Sequence, residues 1–131
     1  MIYIDSCIPM YLVGADHPNK SRVIELVNSL ISANEVFVTS AETFQEILHR
    51  YRALHDMKNL KAAYSALEEM VTDVFDITKA DTDNALHFAI EYSSLSSRDC
   101  LHSAIMKRKK CLKIWTYDKC FDEVSSFIRI F

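Results

Sequence analysis

Apolar and polar residues alternate in short blocks along this chain, and the period of the alternation switches repeatedly between strand-like and helix-like. Ile2-Tyr3-Ile4 is a brief β-prone run that stops at Asp5, and Pro9 suits the first turn of a short helix through Leu12. From Pro18, the residues Val23, Leu26, Val27, Leu30 and Ile31 recur at three- and four-residue spacing, predicting an amphipathic helix that ends near Ala33-Asn34. Val36-Phe37-Val38 reads as a second strand. Thr39 and Glu42 then fit a capping box for a helix carrying Phe44, Ile47, Leu48 and Tyr51, with Glu46 one turn into it. A further helix from about Asn59 to Val71 lines up Leu60, Ala63, Tyr64, Leu67 and Met70, and Val74-Phe75-Asp76-Ile77 reads as a third strand.

The second half repeats this grammar. Thr78 and Asp81 form a capping box for a helix with Ala85, Ala89 and Ile90 that runs to about Tyr92, and Ser96 and Asp99 form another for a helix with Leu101, Ala104 and Ile105. That helix closes on Lys107-Arg108-Lys109-Lys110, cations suited to the negative end of a helix dipole. Leu112 to Tyr117 is a strand stopping at Asp118, and Phe127 to Phe131 fits a final edge strand. Strands separated by helices imply an α/β fold: one domain over residues 1–131 with a central parallel sheet covered by helices on both faces.

Composition narrows the chemistry. The chain has 131 residues, half of them hydrophobic, enough for one core. A formal charge of −3 gives no overall basic character, so any contact with nucleic acid must come from a local patch or through a metal. Gly14 is the only glycine, which excludes the glycine-rich loops of dinucleotide and P-loop sites. Nothing approaches the ~20 apolar residues of a membrane span, and the first residues lack a secretory pattern, so the expected location is cytoplasmic, with no membrane contact. Cys7, Cys100, Cys111 and Cys120 have no C-x-x-C spacing or completing histidine pattern, and read as reduced core residues.

Four acids remain, each at the edge of an ordered segment: Asp5, Glu46, Asp99 and Asp118. Each has a local explanation. Asp99 is the third-position partner of a Ser96 cap, Asp5 and Asp118 are strand-end turn formers, and Glu46 has Arg50 one helical turn away. In a parallel α/β sheet, however, ligands bind beyond the carboxyl ends of the strands, and all four acids fall where one such cleft can collect them. Together they make a carboxylate cluster that calls for a hard divalent cation, Mg²⁺ or Mn²⁺, since both prefer oxygen ligands. Ser6, Ser40 and Thr116 carry hydroxyls near the same strand ends, with turn or cap bonding as their alternative use. Arg98, Arg50, Arg52, Lys107 and Lys109 are candidates for phosphate contacts. His49, His87 and His102 lie within helical patterns and read as packed or surface-paired.

Taken in order, Ile-Tyr-Ile-Asp-Ser at 2–6, Ser40 through Glu46, Leu-Ser-Ser-Arg-Asp-Cys-Leu-His-Ser-Ala at 95–104 and Thr-Tyr-Asp-Lys-Cys-Phe at 116–121 resemble the motifs of the PIN-domain family, and in particular its VapC-like ribonuclease toxins. The resemblance implies a doubly wound α/β fold, a Mg²⁺ or Mn²⁺ site held by Asp5, Glu46, Asp99 and Asp118, and hydrolysis of RNA by metal-activated water. It also implies a homodimer and a small antitoxin partner, with Tyr11-Leu12-Val13 and the helix bearing Leu60, Tyr64 and Leu67 as contact surfaces if they are not simply core. Cys7 and Cys120 depart from the family pattern beside motif acids, which admits a thiol contact to a softer metal. The competing class is a PIN-like module that binds RNA or protein without cleaving.

Overall fold

The computed structural model describes residues 1–131. Five strands form one wholly parallel sheet: β1 (Ile2–Ile4), β2 (Phe37–Ser40), β3 (Asp73–Phe75), β4 (Lys113–Trp115) and β5 (Ile128–Ile130), in the order β3-β2-β1-β4-β5. The connecting helices are α1 (Cys7–Val13), α2 (Pro18–Ser32), α3 (Ala41–Ala53), α4 (Met57–Met70), α5 (Lys79–Glu91) and α6 (Ser97–Arg108), and a 3₁₀ turn over Lys119–Glu123 links β4 to β5. None of the helices is long and apolar enough to cross a membrane.

Strand order and the right-handedness of parallel crossovers together decide which helix covers which face. From β1 through β2 to β3 the chain steps steadily toward one edge, so α1, α2, α3 and α4 share a face. The step from β3 to β4 runs the other way, which sends α5 and α6 to the opposite face. Side-chain alternation in the strands matches this division. Ile2, Ile4, Phe37 and Trp115 join Ile8, Val23, Ile47 and Leu67 in one core, whereas Tyr3, Val38 and Ile114 join Phe88, Ala104, Ile105 and Phe121 in the other. Ile2 and Ile4 are wholly buried, and each such aliphatic side chain contributes about 2 kcal/mol.

Chain reversal at β1 creates the switch point: β1 lies between β2 and β4, and the connections leaving β1 and β4 cover opposite faces of the sheet. A crevice therefore opens beyond the carboxyl ends of β1 and β4, where Asp5 and Asp118 follow.

Several local expectations shift. Thr39 caps no helix. β2 runs on through Ser40, and the Thr39 hydroxyl donates to the Ile4 carbonyl at 2.8 Å, tying β2 to β1. Both of the later capping boxes form as expected, Thr78 with Asp81 and Ser96 with Asp99. β3 stops at Phe75, short of Ile77, which is exposed; Val74, within this edge strand, is exposed as well. Cys100 and Cys111 are core residues, but Cys7 and Cys120 are only half-buried; all four are free thiols. Leu60 and Leu67 belong to the core, and Tyr11, Leu12, Val13 and Tyr64 pack against it half-buried.

Candidate metal centre

The crevice at the switch point is a cleft of about 320 Å³ lined by Asp5, Glu46, Asp99 and Asp118 together with Ser6, Arg98 and the aromatic rims of Tyr11 and Tyr117. All four acids read from the sequence thus reach one cleft, from four different elements. Larger grooves elsewhere on the surface contain none of them.

Asp5 is the most enclosed of the four, 8% exposed, and directly follows β1. Its Oδ1 accepts from the Ser6 N–H at 2.7 Å and its Oδ2 from the Thr116 hydroxyl at 2.5 Å, with the Cys7 thiol 3.5 Å from Oδ2. The Thr116 hydroxyl in turn accepts from the Asp118 N–H at 2.9 Å, so one side chain at the end of β4 orients both a carboxylate and the turn carrying the next acid. Burial pushes the Asp5 carboxyl above the usual range; His102 and Thr116 oppose that shift and the charge of Glu46 adds to it.

Glu46 projects from the second turn of α3. Its expected partner Arg50 is not used: Glu46 Oε2 accepts from the Ser6 hydroxyl at 2.9 Å, and Oε1 from His102 Nε2. Burial disfavours its charge, but the bonds from His102 and Ser6 outweigh burial and hold its pKa below the ordinary glutamate value. His102 is fully buried. Burial opposes its imidazolium as well, yet Tyr3 and Glu46 overcome this and raise its pKa well above that of an ordinary histidine.

Asp99 sits in the first turn of α6, and both of its readings hold at once. As the third helical residue, paired with the Ser96 cap, its Oδ2 accepts from the Ser96 N–H at 3.3 Å, while its own N–H donates to Ser96 Oγ at 3.1 Å. The same side chain lines the cleft. Burial raises its pKa, the Ser96 bonds oppose this, and the charges of Asp118 and Asp5 push it further up. Asp118 is exposed and caps the 3₁₀ turn, its Oδ1 accepting from the Cys120 N–H at 2.9 Å.

The hydroxyls divide. Ser6 and Thr116 touch the acids, as expected of residues at those strand ends. Ser40 does not line the cleft: it is fully buried behind it, with Oγ 2.5 Å from the Tyr3 phenol. Strand alternation at the end of β2 turns it into the α5–α6 side of the sheet, where Tyr3 lies. His102 is the residue that sequence reasoning passed over. It lies three residues after Asp99 on the helix leading away from a motif acid, and that spacing was the available signal, since i and i+3 share a helix face.

One oxygen each of Asp5 and Glu46 and one ring nitrogen of His102 lie within 4.8 Å of one another, the tightest set of possible ligands in the molecule. His102 already bonds through both ring nitrogens, so the donors facing the cleft are carboxylate oxygens. This hard, anionic set fits Mg²⁺ or Mn²⁺ and offers little to a softer ion. The Cys7 thiol is held in its neutral form by burial and by the charge of Asp5, which removes the thiolate a softer metal needs.

A parallel sheet in this order, with acids converging beyond β1 and β4, defines the class: the chain belongs to the PIN domain family, whose model matches residues 2–126. Within that class it is 38% identical over 130 residues to the ribonuclease VapC13 of Mycobacterium tuberculosis, covering 99% of each chain. Its fold matches the Mycobacterium tuberculosis toxin VapC20, described as cleaving the sarcin–ricin loop, with a TM-score of 0.76 over 99% of this chain and 98% of that one at 19% identity. It also matches a chain from a toxin–antitoxin complex of Klebsiella pneumoniae, with a TM-score of 0.68 over 98% and 96% of the two chains at 16% identity.

Proposed function

We propose that this protein is a metal-dependent endoribonuclease, the toxin of a toxin–antitoxin pair, and that residues 1–131 act as one PIN domain. The observation carrying this reading is the convergence of Asp5, Glu46, Asp99 and Asp118 on one cleft, in a chain 38% identical along nearly its whole length to a VapC ribonuclease. Asp5 and Asp99 both have raised pKa values, chiefly because burial disfavours their charge, with the neighbouring carboxylates adding to the shift.

In this reading Asp5 and Asp99 bind Mg²⁺ or Mn²⁺ directly, and Glu46 and Asp118 bind it directly or through water. When bound, the cation supplies Lewis-acid polarisation of a phosphoryl oxygen and a water acidic enough to attack phosphorus. The chain's own groups do the rest. Ser6 and Thr116 fix the oxygens of Asp5 and Glu46, and Arg98, half-buried at the cleft mouth, meets an RNA phosphate that the acids would otherwise repel. The phosphodiester bond is hydrolysed, and water supplies the oxygen that replaces the leaving one.

The relatives' names support RNA as substrate and an antitoxin protein as partner; a second copy of this chain is the remaining partner in this reading. On α5, Leu86 and Ile90 are one turn apart and largely exposed, consistent with a protein contact.

Labelled RNA incubated with Mg²⁺, with Mn²⁺ and with a chelator tests the activity, and Asp5→Ala and Asp99→Asn test the site. Cleavage that needs the metal and is lost in both variants is expected. Tight RNA or antitoxin binding with no metal-dependent cleavage by the wild type refutes the nuclease reading in favour of a binding module. Light scattering across a concentration series tests the homodimer, and a monomer at every concentration refutes it.

A further inference from the structure

A buried file of polar groups runs behind the acids, from the end of β2 to Glu46. Ser40 Oγ lies 2.5 Å from the Tyr3 phenol oxygen, which lies 2.6 Å from His102 Nδ1, and His102 Nε2 bonds Glu46 Oε1. Tyr3, Ser40 and His102 are each 0% exposed, and none of them lines the cleft. The rings of Tyr3 and His102 meet edge to face, 5.4 Å between centroids at 63°, which fixes the plane of the imidazole.

The direction of this file follows from what each group can donate. An ionised carboxylate only accepts, so His102 Nε2 carries the proton it shares with Glu46 whether the ring is neutral or charged. In the neutral ring Nδ1 accepts from the Tyr3 hydroxyl and Ser40 donates to Tyr3; in the imidazolium Nδ1 donates to the Tyr3 oxygen and Tyr3 donates to Ser40. Every member has a partner, and the only carboxylate the file reaches is Glu46, whose other oxygen takes the Ser6 hydroxyl at 2.9 Å. A polar network serving the core alone has no need to end on a carboxylate at the edge of an acidic cleft.

We propose that Ser40, Tyr3 and His102 form a positioning device for Glu46: the file engages Oε1, so that Oε2, beside Ser6 and Asp5, is the oxygen presented to a divalent cation. This rests on the reading of the cleft as a cation site. His102 acts through Glu46 and is a positioning residue rather than a ligand, because both of its ring nitrogens are engaged and its side chain is sealed from the cleft.

Mn²⁺ binding to the RNA-free protein, followed by electron paramagnetic resonance alongside thermal melting, tests this without reference to activity. His102→Ala is expected to weaken Mn²⁺ binding about 10–100-fold, the usual effect of removing a group that orients a metal ligand. His102→Gln keeps an N–H donor near the position of Nε2 and is expected to recover most of that loss. Tyr3→Phe shifts affinity in the same direction as His102→Ala, and carries the comparison if His102→Ala does not fold. A purely structural role predicts a lower Tm with unchanged Mn²⁺ affinity. That result, with wild-type binding intact and abolished by Asp5→Asn, overturns the positioning device and leaves the cation site standing. Nitrogen couplings from a directly bound imidazole in the wild-type spectrum also overturn it. A wild type that binds no Mn²⁺ overturns both.

Discussion

Replacing Asp5 by Asn separates what the cleft's charge does to the fold from what it does for a metal. In the metal-free protein, burial raises the Asp5 pKa, and the contacts from His102 and Thr116 offset this only in part. A carboxyl whose folded pKa lies above its unfolded value binds more protons when folded, so stability falls as pH rises from the unfolded pKa through the raised folded one, and the loss is complete above the latter. Asn removes the charge and keeps an acceptor for the Ser6 N–H, so metal-free Asp5→Asn is expected to melt above the wild type. Metal reverses the ranking. A cation at about 100 times its Kd stabilises the folded state by about 2.7 kcal/mol. For 131 residues the unfolding entropy is about 0.28 kcal/mol/K, so wild-type Tm should climb about 10 °C. Asp5→Asn should lose most of that climb. Scanning calorimetry over a Mg²⁺ or Mn²⁺ titration measures both quantities. Equal metal-induced shifts in the two proteins, or a metal-free variant that melts below the wild type, refute the reasoning.

Other substitutions probe separate parts of the molecule. Arg98→Ala should raise KM for RNA about tenfold with kcat little changed, the pattern of a lost binding contact, and reduce the slope of log affinity against log salt by about 0.7. A fall in kcat alone would place Arg98 in the chemical step instead. Asp81 is buried, which disfavours its charge, but two bonds from Arg108 and the Thr78 cap hold its pKa below normal. Its contribution is therefore present above the ordinary aspartate range and lost as pH falls through its lowered pKa. Asp81→Asn should cost about 2 kcal/mol near neutrality and flatten the acid limb of stability in urea melts, and an unchanged limb would assign acid sensitivity elsewhere. Burial and the charge of Asp5 raise the Cys7 thiol well above its usual pKa, so iodoacetamide should label Cys7 more slowly than a free thiol until urea unfolds the chain. Mass spectrometry reads this directly, and prompt labelling of the folded protein would contradict it.

The sheet was legible because each strand is a short apolar run between helical periods, and Asp5 and Asp118 mark where two runs stop. The convergence of four acids followed from the general place of ligand sites in parallel sheets. Glu46 was found, but its partner was not. Arg50 is near in sequence, whereas His102 is 56 residues away and meets Glu46 only because α6 packs across the end of β1. The Thr39–Ser40 boundary was misjudged because Thr39 has an acid three residues on, Glu42, and so fits the capping pattern, whereas the residue that starts the helix, Ser40, makes no side-chain cap. Which one ends the strand depends on pairing with β3, where Ser40 lies opposite Phe75, a long-range fact. Ser40 was read as a cleft residue for the same reason, since position along a strand tells which end a side chain occupies but not which face until the register is known.

The double duty of Asp99 bears on how this protein loses its activity over generations. One substitution there removes a cleft carboxylate and loosens the first turn of α6, so a lineage drifting toward silence meets a folding defect along with the functional one. Asp118 is exposed and caps only a 3₁₀ turn, so its loss leaves the rest of the molecule nearly untouched. Descendants released from selection for the acidic cleft should therefore change first at position 118 and keep Asp99 longest, as a relic of the helix it starts.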